Sequence, residues 1–234
     1  MADDRGVRSS AAMHSVLTPL TLRFYDFYVL GFSSRLLWRC PAPVLLDLYH
    51  RNVSDSHLEV GVGTGYLLDN ARFSSEAPAI TLMDINAHCL ASAAHRIARY
   101  GPQTVVADIL DPLPQIGPFT SIGCCHVLHC LPGSMAGKAR VFDHLAAVLA
   151  TDGCLFGASV VQGDAPRSPP AQALMNFYNA RSIFSNAQDR VEMLEEALTA
   201  RFHHAAVSLR GCVALFEASG PRSRPNLPTP TATS

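Results

Sequence analysis

Residues 57–70, HLEVGVGTGYLLDN, carry an apolar run with a carboxylate near its end, then glycines at positions 61, 63 and 65, then a helix-forming stretch. Glycine tolerates left-handed backbone angles and leaves no Cβ in the way of an approaching group. A strand, a glycine loop and a helix in that order open a crossover unit, which commits the chain to parallel strands joined by helices.

The rest of the sequence continues the alternation. Residues 57–60 predict a strand and 65–73 a short helix. Residues 79–84 (AITLMD) predict the next strand, and Asn86 caps a helix through Tyr100 with Leu90, Ala94, Ile97 and Ala98 on one face. Strands follow at 104–109 and 118–125, a helix from Ser134 to Leu149 with Val141, Leu145 and Val148 inward, and a strand at 153–161. Ser185-x-x-Gln188 reads as a capping box opening a helix to about Phe202, with Val191, Leu194 and Leu198 on one face. Residues 204–210 and 212–218 then read as two strands joined by a tight Arg-Gly turn. The expected fold is α/β: a doubly wound, mostly parallel sheet of seven strands with an antiparallel C-terminal hairpin.

Ahead of the sheet, Thr18-Pro19 opens a helix bearing Leu20, Phe24, Phe27, Tyr28 and Leu30 on an apolar-aromatic face, with Gly31 as its stop. Helical pieces at 34–39 and 42–51 complete an N-terminal helical cap. Residues 1–14 are polar and read as a flexible arm with no signal-peptide core, and 220–234 as a proline-rich tail. Between them, 15–219 is one domain, divided into the cap (15–52) and a core (55–219). No apolar run reaches the roughly 18 residues of a membrane span. A formal net charge of −1 speaks against nucleic acid as a partner. The cysteine count is odd, at seven, and lacks zinc-ligand spacing, which suits reduced, buried thiols in a cytoplasmic protein and no metal.

In a doubly wound sheet, ligands lie beyond the carboxyl ends of the strands. A triphosphate loop needs a Lys and then Ser or Thr after its glycines, but Tyr66 and Leu67 follow Gly65. A dinucleotide loop places a third glycine where Tyr66 stands, which disfavours a nicotinamide-dependent oxidoreductase. S-adenosylmethionine also demands close backbone approach, and an acid near its ammonium; Glu59 offers that acid. Asp84 closes the second strand and suits the ribose hydroxyls. Asp108 closes the third strand, where it suits the adenine amino group, with Ile109 packing on the ring.

The stretches LEVGVGTGYLLD, ITLMDINAHCL, VVADILDPLP, FTSIGCCHVLHCLPG and LATDGCLFGASVV resemble the successive motifs of class I S-adenosylmethionine-dependent methyltransferases. The small-molecule branch is the most similar, including the ubiquinone-biosynthesis-type and type 11/12 enzymes. The resemblance covers about residues 55–218 and implies the Rossmann-like methyltransferase fold. It implies that Glu59, Gly61, Gly63 and Gly65 hold the methionine part, Asp84 the ribose, and Asp108 with Ile109 the adenine, with Ile85 also among the cofactor-binding residues. The implied reaction moves a methyl group to a small, largely apolar acceptor, as in secondary metabolism. A repurposed fold doing a cyclisation, or a regulatory binder, stays open beside it.

The acceptor is expected beyond the fourth and fifth strands. His126 and His129 are candidates for taking its proton, and Tyr25, Tyr28 and Tyr178 for lining its pocket, with Phe177 beside the last. The 162–186 link is long enough to be a lid. The Asn/Asp-Pro-Pro-aromatic motif of nucleic-acid amino methylation and a Pro-Cys nucleophile are both absent. The sequence leaves the acceptor atom and the oligomeric state open.

Overall fold

The computed structural model describes residues 33–163 and 165–222. The polar arm, the helix expected from Thr18, and Tyr25 and Tyr28 with it, lie outside the described residues, as does the tail beyond Arg222. In chain order the elements are α1 (Ala42–Asn52), β1 (Ser56–Val60), α2 (Tyr66–Asp69), β2 (Ala79–Asp84), α3 (Ala87–Arg96), β3 (Gln103–Val106), β4 (Phe119–Cys125), α4 (Met135–Lys138), α5 (Arg140–Val148), β5 (Leu149–Val160), α6 (Pro169–Ala180), α7 (Val191–Thr199), β6 (Phe202–Arg210) and β7 (Val213–Pro221). Strand order is β3-β2-β1-β4-β5-β7-β6. β7 runs antiparallel to both its neighbours, and the remaining pairs are parallel. The expected doubly wound, seven-stranded sheet is therefore present. Its order reverses between β1 and β4, which puts the switch point where the glycine loop emerges.

Side chains alternate across each strand, so the sheet feeds two cores. Ile80, Leu82, Phe156, Ala158 and Val160 pack with Leu45, Leu48 and Tyr49 of α1, Leu90 and Ala93 of α3, and Met175 of α6. Leu58, Val60, Met83, Leu155 and Phe216 pack with Val141, Phe142 and Leu145 of α5 and Leu194 and Leu198 of α7 on the other face.

Several boundaries differ from expectation, each for a local reason. The piece near 34–39 is one wide turn over 33–37, closed by Trp38 N–H on Ser33 O at 2.9 Å. The helix from Ser134 breaks after Lys138 into α4 and α5. Ala98 is exposed, because α3 ends at Arg96 and a short 3-10 turn follows. Ser185 and Gln188 form no capping box: α7 starts at Val191, and the Ser185 main chain is already used, its N–H on His129 O and its carbonyl accepting from Lys138 Nζ. The 162–186 link contains a twelve-residue helix, α6, opened by Ser168, whose side chain accepts from Ala171 N–H ahead of Pro169 and Pro170. The hairpin turns at Gly211-Cys212, one residue later than the Arg-Gly reading, and β7 runs into the expected tail as far as Pro221.

Candidate active site

β1, β2, β3 and β4 are parallel neighbours, so the loops that leave them crowd one edge of the sheet. Backbone bonds tie the loops together there. Gly61 N–H donates to Met83 O at 2.9 Å, Ala107 N–H to Asp84 O at 3.3 Å, and His126 N–H to Ala158 O at 2.7 Å. Gly61, Gly63 and Gly65 take φ values of 70°, 52° and 77°, the left-handed region. A Cβ on Gly61 would also overlap Val127 Cγ2, and one on Gly65 would come within 3.0 Å of Ala93 Cα. α2 is only four residues long, so the curl of the loop forms most of the cradle. The cleft beside it is lined by Glu59, Gly61, Gly63, Thr64, Cys125 and His126, among others.

Glu59 is 4% exposed. Tyr49 donates its hydroxyl to Glu59 Oε1 at 2.5 Å, and His57 Nε2 donates to Glu59 Oε2 at 3.0 Å. His57 Nδ1 lies 2.7 Å from Ser121 Oγ, which accepts in turn from Ser54 N–H at 2.9 Å. Asp84 Oδ1 accepts from Asn86 N–H at 2.8 Å, and Asn86 caps α3 through its bond from His88 N–H. β3 stops at Val106, so Asp108 lies two residues past the strand instead of closing it. Its Oδ1 accepts from Leu110 N–H at 2.9 Å. Ile109 departs from expectation as well. Its side chain is buried in the core against α5, and its carbonyl is held by His144 Nδ1 at 2.9 Å. Ile85, just past β2, stands 42% exposed, and Val106 at the end of β3 is more exposed still.

His126 follows β4 with a left-handed φ of 62°, an uncommon conformation for a residue with a side chain. Its Nε2 is buried and has no hydrogen-bond partner among the described residues. Burial pushes its imidazole down to about 4, so the ring is neutral near pH 7. His129 lies 5.6 Å from it, ring to ring, but is otherwise occupied. His129 Nδ1 accepts from Val160 N–H at 3.1 Å, and the ring packs edge-on against Phe184 at 4.4 Å. Burial, then the charge of its neighbours, drives it well below its ordinary range. These contacts hold the backbone of β5 and pack the ring of His129, whereas the His126 ring faces the cleft. Tyr178 packs into the core against Phe184 at 4.9 Å, and Phe177 beside it is 46% exposed under Arg181. Neither is among the residues lining the cleft.

The sequence reading missed Tyr49, His57 and Ser121. For His57 a signal existed: residues two apart in a strand share a face, so His57 must accompany Glu59. It also missed the fully buried pair of Lys138 and Asp189, whose Nζ and Oδ2 lie 2.6 Å apart. Among the described residues, no three His, Cys, Asp or Glu side chains gather into a metal-binding group.

A doubly wound sheet with its order reversed at a glycine cradle, and with Glu59 in β1, Asp84 at the end of β2 and Asp108 just past β3, is the layout of a nucleoside-binding enzyme. The comparisons agree. The methyltransferase domain family matches residues 58–155. Demethylluteothin O-methyltransferase of Streptomyces thioluteus is 39% identical over 198 residues, 84% of this chain and 86% of that protein. The Physcion biosynthesis cluster O-methyltransferase of Aspergillus chevalieri is 36% identical over 211 residues, 89% and 95% of the two chains. Among solved structures, N-methyltransferase NodS from Bradyrhizobium japonicum WM9 in complex with S-adenosyl-L-homocysteine shares the fold. Its TM-score is 0.63 at 16% identity, covering 92% of this chain and 100% of that one. The chain belongs to the S-adenosylmethionine-dependent methyltransferases that act on small molecules.

Proposed function

We propose that the chain methylates a hydroxyl oxygen of a small, largely apolar molecule, with His126 at the acceptor oxygen. The observation that carries this reading is His126 Nε2, buried without a partner among the described residues, in a side chain that lines the cleft. The relatives named O-methyltransferases favour oxygen as the acceptor atom. The loop suits the cofactor: Gly61, Gly63 and Gly65 line the cleft with left-handed φ values, so that backbone without a Cβ faces a ligand there. Gly61, Gly63 and Gly65 with Glu59 would hold the amino-acid end and Asp84 the ribose. Ile85 and the loop at Asp108 and Ile109 would hold the adenine.

S-adenosylmethionine supplies, when bound, a methyl group already activated on a sulfonium, with a neutral thioether to leave. The chain must align the acceptor and exclude water from it. His126, neutral and desolvated, accepts a hydrogen bond from the acceptor hydroxyl and turns the oxygen lone pair toward the methyl. A base this weak suits an acidic, conjugated hydroxyl better than an alcohol. No helix among the described residues is long and apolar enough to cross a membrane. Seven free cysteines favour the cytoplasm, and a net charge of −1 disfavours nucleic acid as substrate.

The test is turnover on a panel of phenols, conjugated enols, carboxylic acids and amines. Hydroxyl acceptors should be methylated, and His126→Ala should lower kcat by about 100-fold with cofactor affinity unchanged. Wild-type turnover by His126→Ala would make His126 a packing residue, and activity confined to amines would end the hydroxyl reading.

A further inference from the structure

The cofactor cleft is built against a chain of buried polar groups that begins in helix α1. Tyr49 reaches from α1 to Glu59 Oε1, at 2.5 Å. His57, fully buried on the same face of β1, reaches Glu59 Oε2 at 3.0 Å. Ser121 of β4, also fully buried, backs His57 at 2.7 Å, and the Ser54 N–H backs Ser121. Phe156 walls the group, edge-on to Tyr49 at 5.0 Å and stacked with His57 at 6.0 Å. Gly123 completes it by absence, since a Cβ there would overlap Glu59 Oε2. Glu59 lies two residues before Gly61 and lines the cleft.

We propose that Tyr49 and His57 are positioning residues for cofactor binding. By gripping one carboxylate oxygen each, they fix Glu59 between β4 and the glycine loop, and they make cofactor affinity depend on the docking of helix α1. This rests on the reading above that Glu59 serves the cofactor's amino-acid end.

The chemistry of the donors supports it. Burial pushes the Tyr49 phenol well above its ordinary value, so it keeps its proton and can only donate to the carboxylate. A carboxylate accepts without donating, and each oxygen has two lone pairs. One donor per oxygen orients the group and leaves acceptor capacity for a ligand's ammonium. Without those donors the carboxylate would be free to rotate about its last bond. The network also joins three segments that the sequence separates: α1, β1 and β4. A ligand ammonium that pulls on Glu59 therefore pulls on α1 through Tyr49.

The experiment is calorimetric titration of the intact chain with S-adenosylhomocysteine. It compares wild type, Tyr49→Phe, Glu59→Gln and Asp84→Ala, each at a temperature where far-ultraviolet circular dichroism shows it folded. Tyr49→Phe should weaken binding by roughly tenfold or more, because a buried carboxylate oxygen loses its donor. The KM for S-adenosylmethionine should rise alike, with kcat at saturation falling less than about threefold. Glu59→Gln keeps the shape and covers the case in which Tyr49→Phe does not fold; it too should lose affinity, since the charge is gone. Wild-type affinity in either folded variant overturns the proposal. If Asp84→Ala still weakens binding, the cofactor reading survives that result. Failure of the wild-type chain to bind S-adenosylhomocysteine overturns both.

Discussion

His126 and His129 show how one residue type takes two roles three positions apart. His129 Nδ1 accepts from a backbone N–H of β5 and the ring fills space against Phe184, while His126 Nε2 at the cleft has no partner among the described residues. Both are held neutral by burial, and this has a thermodynamic consequence. The His126 imidazole ordinarily takes a proton near 6.5 but resists until about 4 in the fold. Between those values the unfolded chain binds the proton and the folded chain does not. The stability from burying a neutral ring is therefore complete above pH 6.5 and drains away as the pH falls toward 4. Urea denaturation at pH 7 and pH 5 should show wild type losing about 2 kcal/mol more than His126→Asn across that interval. Equal losses in the two proteins would place the titration elsewhere.

At the scale of elements, the segment after β5 was the hardest to read, and its packing explains why. α6 announces itself through Ser168-Pro169-Pro170, a cap and a proline start, but the run that follows buries only Ala171 and Met175 fully. With so thin a buried stripe, the segment reads as a loop. The false capping box at Ser185 failed for the opposite reason: its main-chain groups were claimed by His129 and Lys138, partners remote in sequence. β1, β2, α3 and β4 were legible because their patterns are local, an alternation or a face. The left-handed glycines at 61, 63 and 65 were legible for the same reason, since a strand, a glycine loop and a helix follow one another in the sequence. Tyr49, Ser121 and Gly123 were not, because Tyr49 and Gly123 matter only through contact with Glu59, and Ser121 only through Glu59's partner His57, across strands or helices.

Lys138 is an element-scale device of the same kind. It is fully buried, and its ammonium holds Asp189 and the Ser185 carbonyl, tying the segment between α6 and α7 to α4. Desolvation pushes Lys138 down and Asp189 up, and their attraction opposes both shifts. Lys138→Met should cost about 3–5 kcal/mol in chemical denaturation, since it strands a buried carboxylate. Lys138→Met with Asp189→Leu should recover most of that loss. A single variant as stable as wild type would mean that the pair contributes nothing to docking the segment.

For the whole molecule, the strand order β3-β2-β1-β4-β5-β7-β6 fixes where chemistry can occur. It brings the carboxyl ends of five parallel strands, β1 to β5, to one edge and opens a cleft where the order reverses, between β1 and β4. The glycine loop and Glu59 come from one side of that reversal, and Cys125 and His126 from the other. In the proposed reaction the first side would hold the donor and the second would face the acceptor. The remaining helices cover the two cores and fix the strands that carry the site.

A crystal structure of the chain with S-adenosylhomocysteine tests this arrangement most directly. The ribose hydroxyls should lie on the Asp84 carboxylate, the amino-acid end along Gly61, Gly63 and Gly65, and the sulfur facing the side of the cleft that carries His126. A nucleoside seated away from the glycine loop, with Asp84 not engaged, would contradict it.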